Sequence, residues 1–229
     1  MGGFRASSPG AGRHLSGTLL SGDGFALVAL STPKKLERYF YPAIEPLIFG
    51  ASPAEVEKEL RAQIDRAIAS GIRPTHLDSH MGSMFVNPNL FRTALNVARE
   101  YKLPIFIPLN AIKQAAPFLV KEIPPDVIVV DNFMMLPGEV VNSDWNALYS
   151  DFLKGLVPGL NEIVVHLSFD NDEMRAIATK HEDFGSAWRQ KDLDLLLGDD
   201  FKSMLKEYDL QLLTWREIQQ AMYPEVVKE

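Results

Sequence analysis

From Ser52 onward the chain alternates helix-like and strand-like segments, and this alternation constrains its fold more than any other feature. Apolar residues at helical spacing predict amphipathic helices, and short apolar or β-branched runs between them predict buried strands. Strands joined by helical crossovers build a parallel sheet or barrel, with functional residues at the carboxyl ends of the strands. The predicted helices cover 53–70, 88–101 and 144–156, and the predicted strands cover 103–107, 126–131 and 162–166.

The first of these helices has the clearest start and stop signals. Ser52 precedes Pro53 and has Glu55 three residues after it, which is the pattern of a capping box with proline in the first turn. Gly71 supplies a stop signal. The stripe predicted to face the core consists of Val56, Leu60, Ile64 and Ile68.

Length and composition are those of an ordinary folded domain. A chain of 229 residues with 46% hydrophobic and 23% charged residues is large enough for one sizeable core. Residues 1–13 are rich in Gly, Ser and Ala and predict a loose tail, whereas 14–229 predict one domain. A secretory signal over the N-terminal region is the competing interpretation, but the polar stretch 21–24 interrupts the apolar run that such a signal needs.

Charge and cysteine content exclude several functions. A net charge of -7 provides no basic face for nucleic acid, and no apolar run approaches the length of a membrane span. The absence of cysteine rules out disulfides, a thiolate nucleophile and Cys-ligated zinc, so any metal must be held by His, Asp or Glu. We therefore expect a cytoplasmic protein without nucleic-acid or membrane partners.

The segment Thr75-His76-Leu77-Asp78-Ser79-His80 carries the strongest chemical signal. Pro74 disfavours helix at the residue before it, and alternate side chains of an extended strand point to the same side. His76, Asp78 and His80 would then share one face. Imidazole and carboxylate are ligands for divalent metal ions, although the same pattern also suits a solvated strand face.

This motif, continued by Met81-Gly82, resembles the central metal motif of the YdjC-like carbohydrate deacetylases. The segment 162–166, ending in His166, resembles the family's late strand with its active-site histidine. The segments 189–197 and 210–218 are similar to its closing helix, strand and helix. The resemblance covers about 51–222.

The resemblance implies a TIM-barrel-like α/β fold that removes acetyl groups from N-acetylated sugars or oligosaccharides with a divalent ion, Mg²⁺ or Zn²⁺. It implies His80 and His14 as metal ligands and His166 as the histidine that protonates the leaving amine or stabilises the oxyanion. His76 is expected behind the ligands or packed against the strand. Asp78 is expected to orient a ligand histidine, or to replace a missing carboxylate ligand. A homodimer is a further expectation from the family.

The chain departs from the family pattern at one point. The family opens with a strand carrying Asp-Asp-Phe-Gly, whose aspartate binds the ion, and this sequence contains no such segment. The barrel is therefore expected to be incomplete at its N-terminus. Two interpretations stay open: an active deacetylase, or a catalytically impaired or inactive family member that retains the fold and sugar or metal binding.

Overall fold

The computed structural model describes residues 2–6, 15–17, 50–179 and 182–228. Its chain contacts divide into two compact units. The first, called the sheet unit here, comprises 1–19 and 130–214, and the second, called the helical unit, comprises 20–129 and 215–229.

Within its described residues, the sheet unit contains a five-stranded mixed sheet in the order β2-β5-β1-β4-β3. β1 pairs antiparallel with β2, β4 and β5, whereas β2 with β5 and β3 with β4 are parallel pairs. The strands are β1 Gly2–Ala6, β2 Leu15–Gly17, β3 Asn132–Met134, β4 Leu160–Ile163 and β5 Leu210–Leu213.

Five-residue β1 lies within the segment that its composition assigned to a loose tail. Strand pairing uses backbone donors and acceptors, which Gly2 and Gly3 possess as fully as any other residue. A composition that offers little to a core can therefore still enter a sheet. Here Gly2 pairs with Ile163 and Arg5 with Leu160.

The helices of the sheet unit surround a core of their own. Its buried centre consists of large aromatic and aliphatic side chains, including Trp145, Tyr149, Trp188 and Phe201. The helices are α4 Trp145–Gly155, α5 Asp172–Ile177, α6 Ser186–Leu197 and α7 Asp199–Glu207, with 3-10 turns at Gly138–Asn142 and Glu182–Phe184.

The helical unit has a separate hydrophobic core. Its centre is formed by one face of the helix Pro53–Ala69 and most of the apolar side chains of the helix Pro88–Glu100, with Ile105 and Ile107 from the following segment. The helices are α1 Pro53–Ala69, α2 Pro88–Glu100, α3 Leu109–Ala115 and α8 Trp215–Met222, with 3-10 turns at His80–Val86, Pro117–Glu122 and Pro224–Lys228.

The predicted start of α1 is confirmed. The Ser52 hydroxyl accepts the backbone N–H of Glu55, whose carboxylate in turn accepts the N–H of Ser52. Val56, Leu60 and Ile64 are buried as predicted, but Ile68 is 50% exposed and Ala67 is buried instead. A spacing of four drifts away from a helix of about 3.6 residues per turn, so the fourth member leaves the buried face.

Mixed α/β architecture is confirmed, whereas a TIM-barrel-like arrangement is not, because the strands in the described residues make a mixed sheet. The apolar run 126–131 precedes β3 and packs Val127 and Val129 against the core of the helical unit. The run 103–107 makes one parallel bridge, between Ile105 and Leu77. These runs fill a core instead of forming long ladders, and apolar periodicity alone does not separate the two uses.

Candidate functional site

The His-x-Asp-x-His motif is an extended segment in the helical unit that ends in a 3-10 turn. Leu77 anchors it: its N–H donates to the Pro104 carbonyl at 2.8 Å, and its carbonyl accepts the Phe106 N–H at 2.8 Å. Leu77 is 2% exposed. The extended conformation predicted from Pro74 is therefore present, but its surroundings are largely buried.

The turn that follows brings His80 to the surface. Ser79 is buried and its hydroxyl accepts the Met84 N–H at 2.8 Å, which ties the turn His80–Val86 to the extended segment. Gly82 has φ +70°, a backbone conformation that glycine adopts without a Cβ penalty. His80 begins this turn and is exposed. Its imidazole is thus accessible to a ligand.

Asp78 is a buried carboxyl group beside that turn, only 7% exposed. Burial raises its pKa from 3.8 to about 6, while the Ser79 N–H and the positive charge of His80 act in the opposite direction. The Asp78 carboxyl group therefore ionises closer to neutral pH than an exposed aspartate does.

His76 is 1% exposed and packs face to face on Trp215, with ring centroids 4.4 Å apart and 11° between the planes. Its Nδ1 lies 2.9 Å from the Thr75 hydroxyl. Burial lowers the pKa of the imidazole to about 3, so the ring is neutral at physiological pH. His76 is therefore packed in the interior of the helical unit.

His166 follows β4 in the sheet unit and is half-buried. Its ring contacts Phe184 and Trp188, at centroid distances of 6.4 Å and 5.7 Å. Its backbone N–H donates to Asp192 Oδ2 at 2.7 Å, and the other oxygen of that carboxylate accepts the Tyr149 hydroxyl at 3.1 Å. The exposed residue that follows is Leu167.

Two residues of the motif carry side chains of the types that bind divalent ions. Asp78 and His80 supply a carboxylate and an accessible imidazole, which suit divalent ions. Within the described residues, no three His, Asp or Glu side chains form a group that could hold an ion. The other predicted ligand, His14, lies outside the described residues. His80 lies in the helical unit and His166 lies in the sheet unit.

Sequence reasoning missed the residues that surround His76 and His166. Trp215 lies far along the chain from His76, and Asp192 lies 26 residues from His166. The only available signal was the four-residue spacing of Trp188 and Asp192 within the predicted helical stretch, which places both on one helix face. A shallow cavity of about 340 Å³ in the sheet unit, lined by residues such as Trp145 and Lys191, contains none of the predicted site residues.

No helix in the described part of the chain is long and apolar enough to cross a bilayer.

The fold of this chain is similar to that of a protein of known structure, an Enterococcus faecalis V583 protein named for cellobiose-phosphate cleavage. The two superpose with a TM-score of 0.60 over 81% of this chain and 67% of that chain, at 21% identity. At this identity the likeness concerns the fold alone.

Sequence comparison is more specific. The chain is 32% identical over 196 residues to a carbohydrate deacetylase of Thermus thermophilus, a match that covers 81% of this chain and 67% of that relative. A shorter match, 39% over 61 residues, is to a carbohydrate deacetylase of Brevibacillus brevis and covers 27% of this chain and 24% of that relative. The family model described as YdjC-like protein matches residues 9–207. The chain therefore belongs to the YdjC-like protein family.

Proposed function

We propose that this protein is a metal-dependent hydrolase that removes acetyl groups from N-acetylated sugars or oligosaccharides. The observation that carries the proposal is the 196-residue similarity to the Thermus thermophilus carbohydrate deacetylase. The family match over 9–207 includes the His-x-Asp-x-His motif and His166. The local geometry of both segments is compatible with the roles that we propose for Asp78, His80 and His166.

His80 is the metal ligand that the proposal assigns within the described residues, with His14 as its partner ligand. His80 is exposed at the start of a turn, and a buried hydroxyl holds that turn in place. Asp78 lies beside it and orients the imidazole or contributes an oxygen. His80 and His14, with Asp78, would hold a divalent ion, and the chemistry supplied there would be Lewis-acid polarisation of the amide carbonyl.

His166 is assigned to proton transfer. The leaving group of amide hydrolysis is an amine, which must take up a proton as the C–N bond breaks, and an imidazole suits this role near neutral pH. Ring contacts with Phe184 and Trp188 and a fixed backbone N–H limit the orientations open to His166. Such restriction favours a reactive geometry.

Acetate release from N-acetylated chito-oligosaccharides tests the proposal. The full chain, stripped with a chelator, is assayed alone and with added Mg²⁺ or Zn²⁺. We expect metal-dependent acetate release that His80→Ala abolishes and that Lys58→Ala, an exposed change on α1 in the same unit, leaves intact. Absence of acetate at every metal concentration, from folded protein, would contradict the proposal.

A further inference from the structure

The carboxylate of Asp192 is an unusual feature of the sheet unit. Asp192 is 1% exposed, and Asp side chains are rarely buried to this extent unless they are paired. Two donors reach it: the His166 backbone N–H at 2.7 Å and the Tyr149 hydroxyl at 3.1 Å. One oxygen of the carboxylate is thus committed to the backbone of the residue assigned to proton transfer.

The same face of α6 also holds the His166 ring. Trp188 lies four residues before Asp192, so the two side chains are neighbours on one helix face. Trp188 contacts the imidazole edge to face at 5.7 Å, and its own indole N–H donates to the Pro137 carbonyl at 3.3 Å. Backbone and ring of His166 are therefore held by one helix turn that is itself buried and anchored.

The contact continues along the loop after His166. The Ser168 N–H points to the Arg189 carbonyl at 3.5 Å, and the Asp170 N–H donates to the Gln190 side chain at 2.8 Å. Alternate residues of the loop thus meet α6, while Leu167 and Phe169 are exposed at 48% and 66%. The bond to His166 is the shortest of these contacts and the only one of them made to a carboxylate.

We propose that Asp192 is a positioning residue for His166: its buried carboxylate fixes the His166 backbone and thereby the placement of the imidazole against Trp188. The inference rests on the proposed function, in which His166 transfers the proton. Burial raises the pKa of Asp192, whereas the N–H of His166 and the hydroxyl of Tyr149 act against that rise. The property that the inference requires is an acceptor oxygen at this point, which the ionised and the neutral carboxyl group both provide.

This distinction determines the variants. Asp192→Asn keeps an oxygen that accepts the His166 N–H, and its amide can donate to the Tyr149 oxygen. Asp192→Ala removes the acceptor. Asp151→Ala removes an exposed carboxylate on α4 in the same unit and is the matched control. Steady-state acetate release from an N-acetylated chito-oligosaccharide is measured for each, together with the His166 amide and imidazole signals by NMR.

We expect Asp192→Ala to lower kcat by about 100-fold with little change in KM, because displacement of a reacting group by about 1 Å has an effect of this size. Asp192→Asn should restore most of kcat, and Asp151→Ala should match wild type. A kcat for Asp192→Ala within twofold of wild type, in a protein whose His166→Ala variant is inactive, would overturn the inference. Equal loss of kcat in folded Asn and Ala variants would also overturn it.

The NMR measurement separates this inference from the proposed function. If the wild-type protein releases no acetate, the proposed function fails while the positioning role remains decidable. The His166 amide signal should be shifted downfield and slow to exchange in the wild-type protein and in Asp192→Asn. These two proteins are sufficient for the NMR test if Asp192→Ala does not fold. An unshifted, rapidly exchanging His166 amide in the wild-type protein would refute the positioning role by itself.

Discussion

The imidazole of His76 lies parallel to the indole of Trp215, with 4.4 Å between ring centroids. The Nε2 atom of His76 and the Nε1 atom of Trp215 are both buried and have no hydrogen-bond partner within the described residues. Unpaired polar atoms in a core cost free energy of folding. The stack therefore combines favourable ring packing with the free-energy cost of burying two unpaired nitrogen atoms. This cost depends on the protonation state of His76.

The first prediction concerns the acid stability of this stack. The pKa of His76 is lowered to about 3 by burial, below its unfolded value of 6.5. The unfolded chain thus takes up a proton first, and the stability is fully present above pH 6.5 and lost as pH falls toward 3. His76→Phe keeps a stacking ring without this titration.

We expect His76→Phe to gain stability relative to wild type on going from pH 7.5 to 5, by on the order of 2 kcal/mol. Urea unfolding at several pH values measures the difference. Parallel curves for the two proteins over that range would show that His76 has an ordinary pKa in the folded state.

Asp78 gives a prediction of the opposite sign. Burial raises its pKa from 3.8 to about 6, so the contribution to stability is present below pH 3.8 and is lost as pH rises through 6. Asp78→Asn should therefore raise the free energy of unfolding at pH 7, by on the order of 2 to 3 kcal/mol. Urea unfolding at pH 7 and pH 4 provides the check, with the gain confined to the higher pH.

A third prediction uses the same variant for metal affinity. Asp78→Asn should weaken binding of Zn²⁺ or Mg²⁺ by about 10- to 100-fold, the effect of losing a group that orients a ligand histidine. Because the variant is expected to fold more stably at neutral pH, weaker binding cannot be attributed to unfolding. Isothermal titration calorimetry measures the affinity, and an unchanged value would remove Asp78 from the metal site.

The parts of the fold that could be predicted from the sequence are those determined by hydrogen bonds between residues close together in the chain. The start of α1 follows from Ser52 and Glu55, which are three residues apart, and the helix begins where these residues predict. The helix at 144–156 also exists, with Asp144 accepting the Ala147 N–H as its cap. Local donors and acceptors therefore gave correct boundaries.

The sheet and the environment of the histidines could not be obtained in this way. The run 126–131 has strong β character, but its valines pack on a core and the strand begins at Asn132. The residue pattern alone does not distinguish His76 from His80, and only the family resemblance placed His76 behind the ligands or packed against the strand. In the structure His76 is 1% exposed and His80 is accessible. Trp215 makes the difference for His76, and nothing near residue 76 in the sequence indicates it.

A fourth prediction concerns the hydroxyl of Tyr149. This residue is 1% exposed and donates to the buried carboxylate of Asp192. Tyr149→Phe removes one of the donors of that carboxylate, which should cost about 1 to 3 kcal/mol of folding free energy. Chemical denaturation measures the cost. Tyr208→Phe, which removes a hydroxyl bonded to Ser150 on the same helix, is the comparison and should cost less because Tyr208 is only half-buried. Equal costs of the two changes would contradict the expectation that the hydrogen bond from Tyr149 to Asp192 contributes more to stability than the one between Tyr208 and Ser150.

The last prediction tests the buried face of α1 with two isoleucines one turn apart. Ile64 is 0% exposed in the core of the helical unit, whereas Ile68 is 50% exposed. Ile64→Ala leaves a cavity and should cost about 2 to 5 kcal/mol, while Ile68→Ala should cost less than about 1 kcal/mol because alanine is also the better helix former. Both changes delete the same atoms from the same helix, so their difference in urea unfolding reports burial directly. Equal costs would mean that Ile68 reaches a core that the described residues do not contain.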